Sequence, residues 1–322
     1  YGFTGPYFSG LFRHRGLDIT DTVDLLFLSP DGIFGVPIGV ATDYVFYFIL
    51  FGAFLKVSGG GQLFNDLAFR LTRRSKGGPA KAAVVSSALM GSISGSAVAN
   101  VASTGIFTIP LMKRAGYSKK DSAAIEALAS TGGQLMPPIM GAAVFIMAEM
   151  LGVLYVEIMM AALIPALLYY ISIFVIVHIK ASKKKIDTLQ EEMAKKQEKI
   201  ISRIHLLFPM VTLITLIFMG YSLQRAALWS ILFVVIISYL RRATFLKFTD
   251  ILSALESGAQ QAIKVTIPCA IAGIIVGIIG FSGLGLNFTS LIVQWSFGNV
   301  ILALILTAIG CIILGMGMPT TA

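Results

Sequence analysis

The chain has 322 residues, of which 56% are hydrophobic and 13% charged, about half the ~25% charged fraction of a soluble globular domain. That composition excludes a soluble enzyme and places most of the chain in a lipid bilayer. The net charge of +9 gathers in a few loops, the pattern of Lys/Arg held on the cytoplasmic side of a membrane rather than the basic face of a nucleic-acid binder.

Residues 1–32 are mixed and Gly/Pro-punctuated and read as a peripheral lead-in; with no Met or signal peptide at Tyr1, the start is expected to be truncated. A first apolar span covers about 33–57 and holds Pro37 and Asp43, so a break is expected near its start. From Gln62 to Arg74, Leu63, Phe64, Leu67, Ala68 and Leu71 recur at helical spacing, predicting an amphipathic helix in the membrane interface.

Residues 82–112 are 31 positions without a charged side chain, bracketed by Arg70, Arg73, Arg74, Lys76 and Lys81 before and Lys113, Arg114, Lys119 and Lys120 after. At about 1.5 Å per residue such a helix reaches roughly 46 Å, whereas two crossings of a ~30 Å hydrocarbon core need about 60 Å. One crossing would strand a basic cluster on the wrong side. The segment is therefore predicted to be a re-entrant hairpin tipped by residues 91–96, Gly-Ser-Ile-Ser-Gly-Ser. Non-helical backbone at membrane depth is tolerated only against protein or a water-filled cavity, so this tip is the first candidate site.

The apolar stretch 122–150 is interrupted by Thr131-Gly132-Gly133-Gln134-Leu135-Met136-Pro137-Pro138, which predicts two half-helices joined by an unwound link. A cleaner span covers 158–179. Residues 180–204 carry eight Lys/Arg and four Asp/Glu and read as a cytoplasmic connector. Two more spans, 205–223 and 227–240, are expected to turn at Gln224 and Arg225, followed by an interfacial helix at Thr249–Gln261. From Val265 to Ala322 there is no charge. Cys269 and Cys311 lie in apolar stretches and imply neither a disulfide framework nor a metal site.

Residues 58–67 align with 282–291 at an offset of 224: Ser58/Ser282, Gly59/Gly283, Gly61/Gly285, Phe64/Phe288 and Leu67/Leu291 coincide, and the register continues to Gly91/Gly315. The second copy lacks basic flanks, so its hairpin is expected to enter from the opposite face. Inverted repeats with broken helices meeting near the midplane are a secondary-transporter architecture. The expected organisation is a first repeat at 33–179, the connector 180–204, two spans and an interfacial helix at 205–258, and a second repeat starting at 259–322. A partner for Pro137-Pro138 would fall near position 361, so the chain is expected to stop inside its second hairpin.

The motifs GSISGSAVANVASTG (91–105), MKRAGY (112–117), ASTGGQLMPPIMGAAVFIMAE (129–149) and GMGMPTTA (315–322) resemble the large membrane subunit of tripartite ATP-independent periplasmic (TRAP) transporters, in particular fused permeases that work with TAXI-type binding proteins. The resemblance implies an all-α, inverted-repeat, elevator-type transporter spanning a bacterial inner membrane several times. It implies a periplasmic binding protein that delivers a small organic anion, a smaller four-helix membrane part, and a coupling cation: sodium, with a proton as alternative. No further cofactor and no nucleic acid is expected.

Sodium prefers oxygen ligands, which unwound backbone and half-helix ends supply in transporters of this design. The expected cation ligands are Ser92, Ser94, Gly95 and Ser96 with Thr131, Gly132 and Gly133. The family pattern adds Gly315, Gly317, Pro319 and Thr320 for a second ion. Asn100, Ser103, Thr104, Gln134, Pro137, Pro138 and Thr321 are the expected substrate contacts, because no Lys or Arg lies inside the hairpin or the broken helix. Small residues also permit close packing, which is the reading preferred for Ala97, Ala99 and Ala102. Asp43 and Glu126 are candidate proton relays, although Glu126 and Glu149 are expected near the interfaces, within reach of solvent. An intramembrane hydrolase built on a Ser near Gly91 lacks a base, since His14, His178 and His205 all lie elsewhere.

Overall fold

Left-handed glycines and serine caps cut this apolar chain into helices. In the computed structural model, which describes residues 1–184, 186, 203–241 and 244–315, every regular element among the described residues is helical. Among the described residues three helices are long and apolar enough to cross a membrane: Val36–Val57 with 22 residues, Tyr155–Lys183 with 29 and Phe248–Ser282 with 35. Ala142–Leu151, Ile204–Phe218, Leu223–Ser238 and Val300–Ile313 are shorter apolar helices. Ile164, Leu168 and Ile171 stand exposed along Tyr155–Lys183, as expected of a helix apolar all round and solvated by lipid.

The chain divides into two compact units, Tyr1–Thr42 with Ile263–Ala322, and Asp43–Ala262. In the first, Asp18 caps the short helix Ile19–Val23 by accepting from the Asp21 amide at 2.7 Å. The backbone around Asp31 and Gly32 lies so close to Gly273 and Gly277 that a Cβ on either glycine would strike a backbone carbonyl. Arg15 lies over the Phe281 ring at 4.7 Å.

In the second unit the predicted hairpin is a leading arm, Gly78–Ser94, and a returning arm, Ala97–Arg114. The amphipathic helix Gly60–Thr72 packs along the leading arm and buries Leu63, Phe64 and Ala68. The Ser86 hydroxyl donates to the Asn65 side chain across that contact. Leu71, expected on the apolar face, is exposed. The returning arm ends in a Schellman turn at Gly116 (φ 100°), with Tyr117 N bonded to Met112 O at 3.1 Å. Ser118 then caps the half-helix Lys119–Gly132. Ala83, Met112, Ile125, Ala129, Ile173 and Val177 close the core where both arms, the half-helix and Tyr155–Lys183 meet.

Three expectations change. The helix at Val36–Val57 is not interrupted at Pro37, which sits in its first turn where no amide donor is needed; residues 41–45 widen into a π-turn instead. The turn expected at Gln224 and Arg225 lies earlier, at 219–222, because Gly220 (φ 80°) terminates Phe208–Phe218 and Ser222 caps Leu223–Ser238. Thr249–Gln261 is no separate helix: nothing between Gln261 and Val265 interrupts the backbone ladder, and the segment opens the 35-residue helix Phe248–Ser282.

The two aligned segments share local geometry. The Ser58 hydroxyl donates to Leu55 O at 2.9 Å, Gly59 is left-handed (φ 95°), and Leu63 N bonds Gly59 O at 3.2 Å. At the offset of 224, the Ser282 hydroxyl donates to Ile279 O at 3.1 Å, Gly283 is left-handed (φ 67°), and Asn287 N bonds Gly283 O at 3.1 Å.

The foot of the half-helix is fastened to Tyr155–Lys183 by Asp121, which accepts from Lys180 at 2.5 Å and Lys184 at 2.6 Å. These two hydrogen bonds hold its carboxyl well below the usual carboxylate range. A carboxyl lowered in the folded state contributes stability above its unfolded pKa of about 3.9 and loses that contribution as pH falls toward the folded value. Asp121→Asn is therefore expected to lower the thermal midpoint at neutral pH and to flatten its decline on acidification, measured by thermal unfolding of the purified protein in detergent. An acid limb identical to wild type would show that the ion pair does not contribute.

Candidate functional site: a hairpin tip against a broken helix

The leading arm ends at Ser94, the chain reverses through Gly95 (φ 61°), and Ser96 caps the returning arm by accepting from the Ala99 amide at 3.3 Å. Facing this tip, residues 133–141 leave helical geometry between Lys119–Gly132 and Ala142–Leu151. The link contains a cis Pro137–Pro138 bond and a left-handed Met140 (φ 61°), and Gly141 N closes it on Gln134 O at 2.9 Å.

Tip and link satisfy one another. Ile139 N donates to Ser92 O at 3.1 Å. A Cβ on Gly91 would strike Gly133, one on Gly133 would strike Gly91, and one on Gly95 would strike the Met140 carbonyl. Only hydrogen side chains allow this approach. From behind, the Tyr155 hydroxyl reaches Pro138 O at 2.9 Å and Ile139 O at 2.6 Å. Its ring stacks on Phe145 at 4.6 Å, and Phe145 packs on Phe48 at 5.1 Å.

The expected cation residues fall into two groups. Ser92, Ser94, Gly95 and Ser96 lie together at the tip, and Gly133 meets the leading arm at Gly91, whereas Gly132 packs against Tyr169 and Tyr170. The Ser92 hydroxyl donates to Leu89 O at 2.8 Å, and that of Ser94 to Ser96 O at 3.4 Å. Thr131 is not brought to the tip: its side chain is exposed and its hydroxyl bonds back to Ala127 O at 2.8 Å. Gly315 closes the helix Val300–Gly315, whereas Gly317, Pro319, Thr320 and Thr321 lie outside the described residues.

Ser94 and Ser103 open onto a cavity of about 30 Å³ that is also lined by Lys56, Met90 and Gln261, room for about one water molecule. Gln134 and Pro137 are half-buried and Pro138 is buried in the link. Asn100 and Thr104, expected to face the substrate, are instead buried to 0% and 2% exposure. Lys56 was missed because it reads as the flank of the first span, and only the fold turns it toward the tip. Lys81 also changes place. It lies inside the leading arm, 4% exposed, with Nζ 3.0 Å from His178 Nδ1 and 4.7 Å from the Phe174 ring centre.

Glu126 departs furthest from expectation. It is fully buried, not solvated near an interface. Its Oε1 accepts from Thr104 at 2.5 Å, Ser87 at 3.1 Å and Ser130 at 3.3 Å, and its Oε2 from Thr108 at 2.5 Å. Asn100 Nδ2 stitches the same elements through Ser87 O at 2.8 Å and Ser130 O at 3.4 Å. Among the described residues the Asn100 Oδ1 atom has no partner. Asp43 and Glu149 are exposed and separate from this cluster.

Residues 17–322 match the family described as tripartite ATP-independent periplasmic transporter, DctM component. The chain is 30% identical over 180 residues to a C4-dicarboxylate TRAP transporter large permease protein of Pseudomonas aeruginosa, covering 54% of this chain and 42% of that protein. It is 38% identical over 92 residues to an isethionate TRAP transporter permease of Oleidesulfovibrio alaskensis, covering 29% and 14%. It is 29% identical over 92 residues to a 2,3-diketo-L-gulonate TRAP transporter large permease of Escherichia coli, covering 29% and 22%. The matches thus span less than half the length of these relatives.

Gly91→Ala and Gly133→Ala are each expected to push tip and link apart and to lower stability by about 1–3 kcal/mol, the usual range for overpacking. Thermal unfolding of the purified protein checks this, with Gly39→Ala, at a helical site with open space around its Cα, as control. A Gly91 variant as stable as the control would mean that the close approach is not required.

Proposed function

The chain belongs to the DctM component family of tripartite ATP-independent periplasmic transporters, and from that premise we propose that it imports a small organic anion, a carboxylate or an amino-acid-like acid, by cation-coupled secondary transport. It is a membrane permease component and not an enzyme. In this reading it sits in a bacterial inner membrane, takes its solute from a periplasmic binding protein of the TAXI type, and works with a smaller four-helix membrane part.

The contact between tip and link carries the proposal. A hairpin that only anchored the chain would need no unwound partner. Here two interrupted backbones meet, Ile139 N on Ser92 O, with serine hydroxyls on the tip and Gln134 on the link. Sodium is the coupling ion of this reading, held by Ser92, Ser94, Gly95 and Ser96 with Gly132, Gly133 and unwound carbonyls of the link. Thr131 drops out. The second ion, at Gly315, Gly317, Pro319 and Thr320, remains a proposal from the family pattern.

The relatives' names point to C4-dicarboxylates, isethionate and 2,3-diketo-L-gulonate, all acids. Lys56 borders the small cavity at Ser94 and Ser103, which puts a basic residue beside the tip although the cavity itself has room for only about one water molecule. The matched capping geometry of Ser58–Gly59 and Ser282–Gly283 supports an internal repeat. We read that repeat as inverted, and the hairpin with its broken helix as the moving part of an elevator.

Uptake into proteoliposomes holding the full-length protein and its binding protein tests this. Uptake is expected to require both the binding protein and an imposed sodium gradient. Ser94→Ala and Ser96→Ala should each raise the sodium concentration for half-maximal uptake about tenfold, the equivalent of ~1.4 kcal/mol of lost ligand energy. Flux indifferent to binding protein and ion gradient would overturn the transport reading. An unchanged sodium response would remove the two serines from the site. Uptake driven by a pH gradient at zero sodium would replace sodium by the proton.

A further inference from the structure

We infer that the groove between the leading arm and Tyr155–Lys183 holds one anionic phospholipid of the cytoplasmic leaflet, its acyl chain against the apolar walls and its head group at His178 and Lys81.

The walls come from two antiparallel helices of one compact unit: Gly77 lies against Ala181, and four residues on Lys81 meets His178. Further along the same seam, Val84, Val85 and Leu89 of the arm and Leu167, Ile171 and Val175 of the helix line a cavity of about 340 Å³. From Leu167 to Val175 the groove follows about 12 Å of helix. Tyr170 is the one lining side chain with a polar atom, and its hydroxyl already donates to Ala129 O at 3.0 Å. The groove therefore presents an occupant with apolar surface alone. Its outer residues Leu167, Ile171 and Val175 are exposed and continue the exposed stripe of Ile164 and Leu168, so it opens onto the face of this helix that lipid solvates.

At its basic end the groove meets a cation without a counter-ion. Lys81 stands one turn before Val85, and its Nζ lies 4.7 Å from the centre of the Phe174 ring, itself part of the lining. The side chain is buried, yet among the described residues no carboxylate pairs with it; Asp121 is taken by Lys180 and Lys184. Buried charges are ordinarily paired. An ammonium can only donate, so its 3.0 Å contact makes His178 Nδ1 the acceptor and leaves the ring hydrogen on Nε2. His178 is exposed, and among the described residues its Nε2 has no partner. An exposed histidine thus offers an N–H, backed by a buried positive charge, to an anionic oxygen.

Depth selects a phospholipid for this pairing of groove and charge. Lys81 lies in the first turn of the leading arm, and His178 shortly before the Lys180–Lys184 end of its helix. That is the basic, cytoplasmic side, where anionic head groups gather around Lys and Arg. A chain running inward from there along the groove reaches Met136 of the unwound link. One lipid would then bridge the leading arm, the long helix and the link. This inference does not rest on the transport reading.

Photolabelling of the full-length protein in lipid vesicles tests it, with a phosphatidylglycerol that carries a diazirine near the end of one acyl chain. Peptide mapping is expected to place label on Met136 or on residues 84–89 and 167–175. Unlabelled phosphatidylglycerol should compete about fivefold better than phosphatidylcholine, the effect of one cation near the head group. Ile171→Trp, which fills the groove from an exposed position, should abolish this label and spare label on other lipid-facing helices. His178→Ala should bring the two competitors level. Vesicles in which the groove takes no label, as when a protein segment covers it, overturn the inference, and so does groove label that Ile171→Trp leaves unchanged. Equal competition by both lipids in the wild type, or an undiminished preference in His178→Ala, overturns the head-group assignment. The wild-type label map and competition decide the matter even if a variant fails to fold.

Discussion

A bilayer offers no water to an unpaired backbone group, so a chain that interrupts its helices at membrane depth must supply replacement partners itself. Here two interruptions supply each other. The Ile139 amide of the unwound link is taken by the Ser92 carbonyl of the hairpin tip, and the Pro138 and Ile139 carbonyls receive the Tyr155 hydroxyl. Gly91, Gly95 and Gly133 exist in this arrangement as the only residues that let the two backbones approach. Phe48, Phe145 and Tyr155 form the wall that keeps the link in place.

Around that contact the polar groups are layered. Ser94 of the tip and Ser103 of the returning arm line a small cavity together with Lys56. Deeper between the arms, Asn100 and Glu126 gather hydroxyls from three helices, and at the basic end Asp121 is clamped by two lysines. Buried polar networks of this kind are costly when incomplete and specifying when complete. The inner layer ties both arms to the half-helix.

Much of the fold was legible because charge and length constrain membrane segments strongly. An uncharged run between two basic clusters, too short to cross twice, leaves a hairpin as its solution, and the arms indeed meet at Gly95 and Ser96. The Gly-Gly-Gln/Pro-Pro break was legible for the same reason that it breaks: Pro137 and Pro138 cannot continue a helix. What remained hidden depends on helix rotation. Along the half-helix, Glu126 and Thr131 look equally polar, yet one points inward to four hydroxyls and the other outward. Asn100 resembled a ligand group, and its neighbours Ser87 and Ser130 come from distant sequence. The turn before Ser222 was misplaced because Gln224 and Arg225 carry the polarity, whereas Gly220 carries the backbone freedom.

The dependence of tip and link on each other is tested most directly by amide hydrogen exchange of the full-length protein in lipid, with and without sodium. Residues 91–96 and 133–141 are predicted to exchange as slowly as the adjoining helices, and more slowly still in sodium than in an equal concentration of choline. Rapid exchange of both segments, unchanged by sodium, would contradict a paired backbone and a cation held by it.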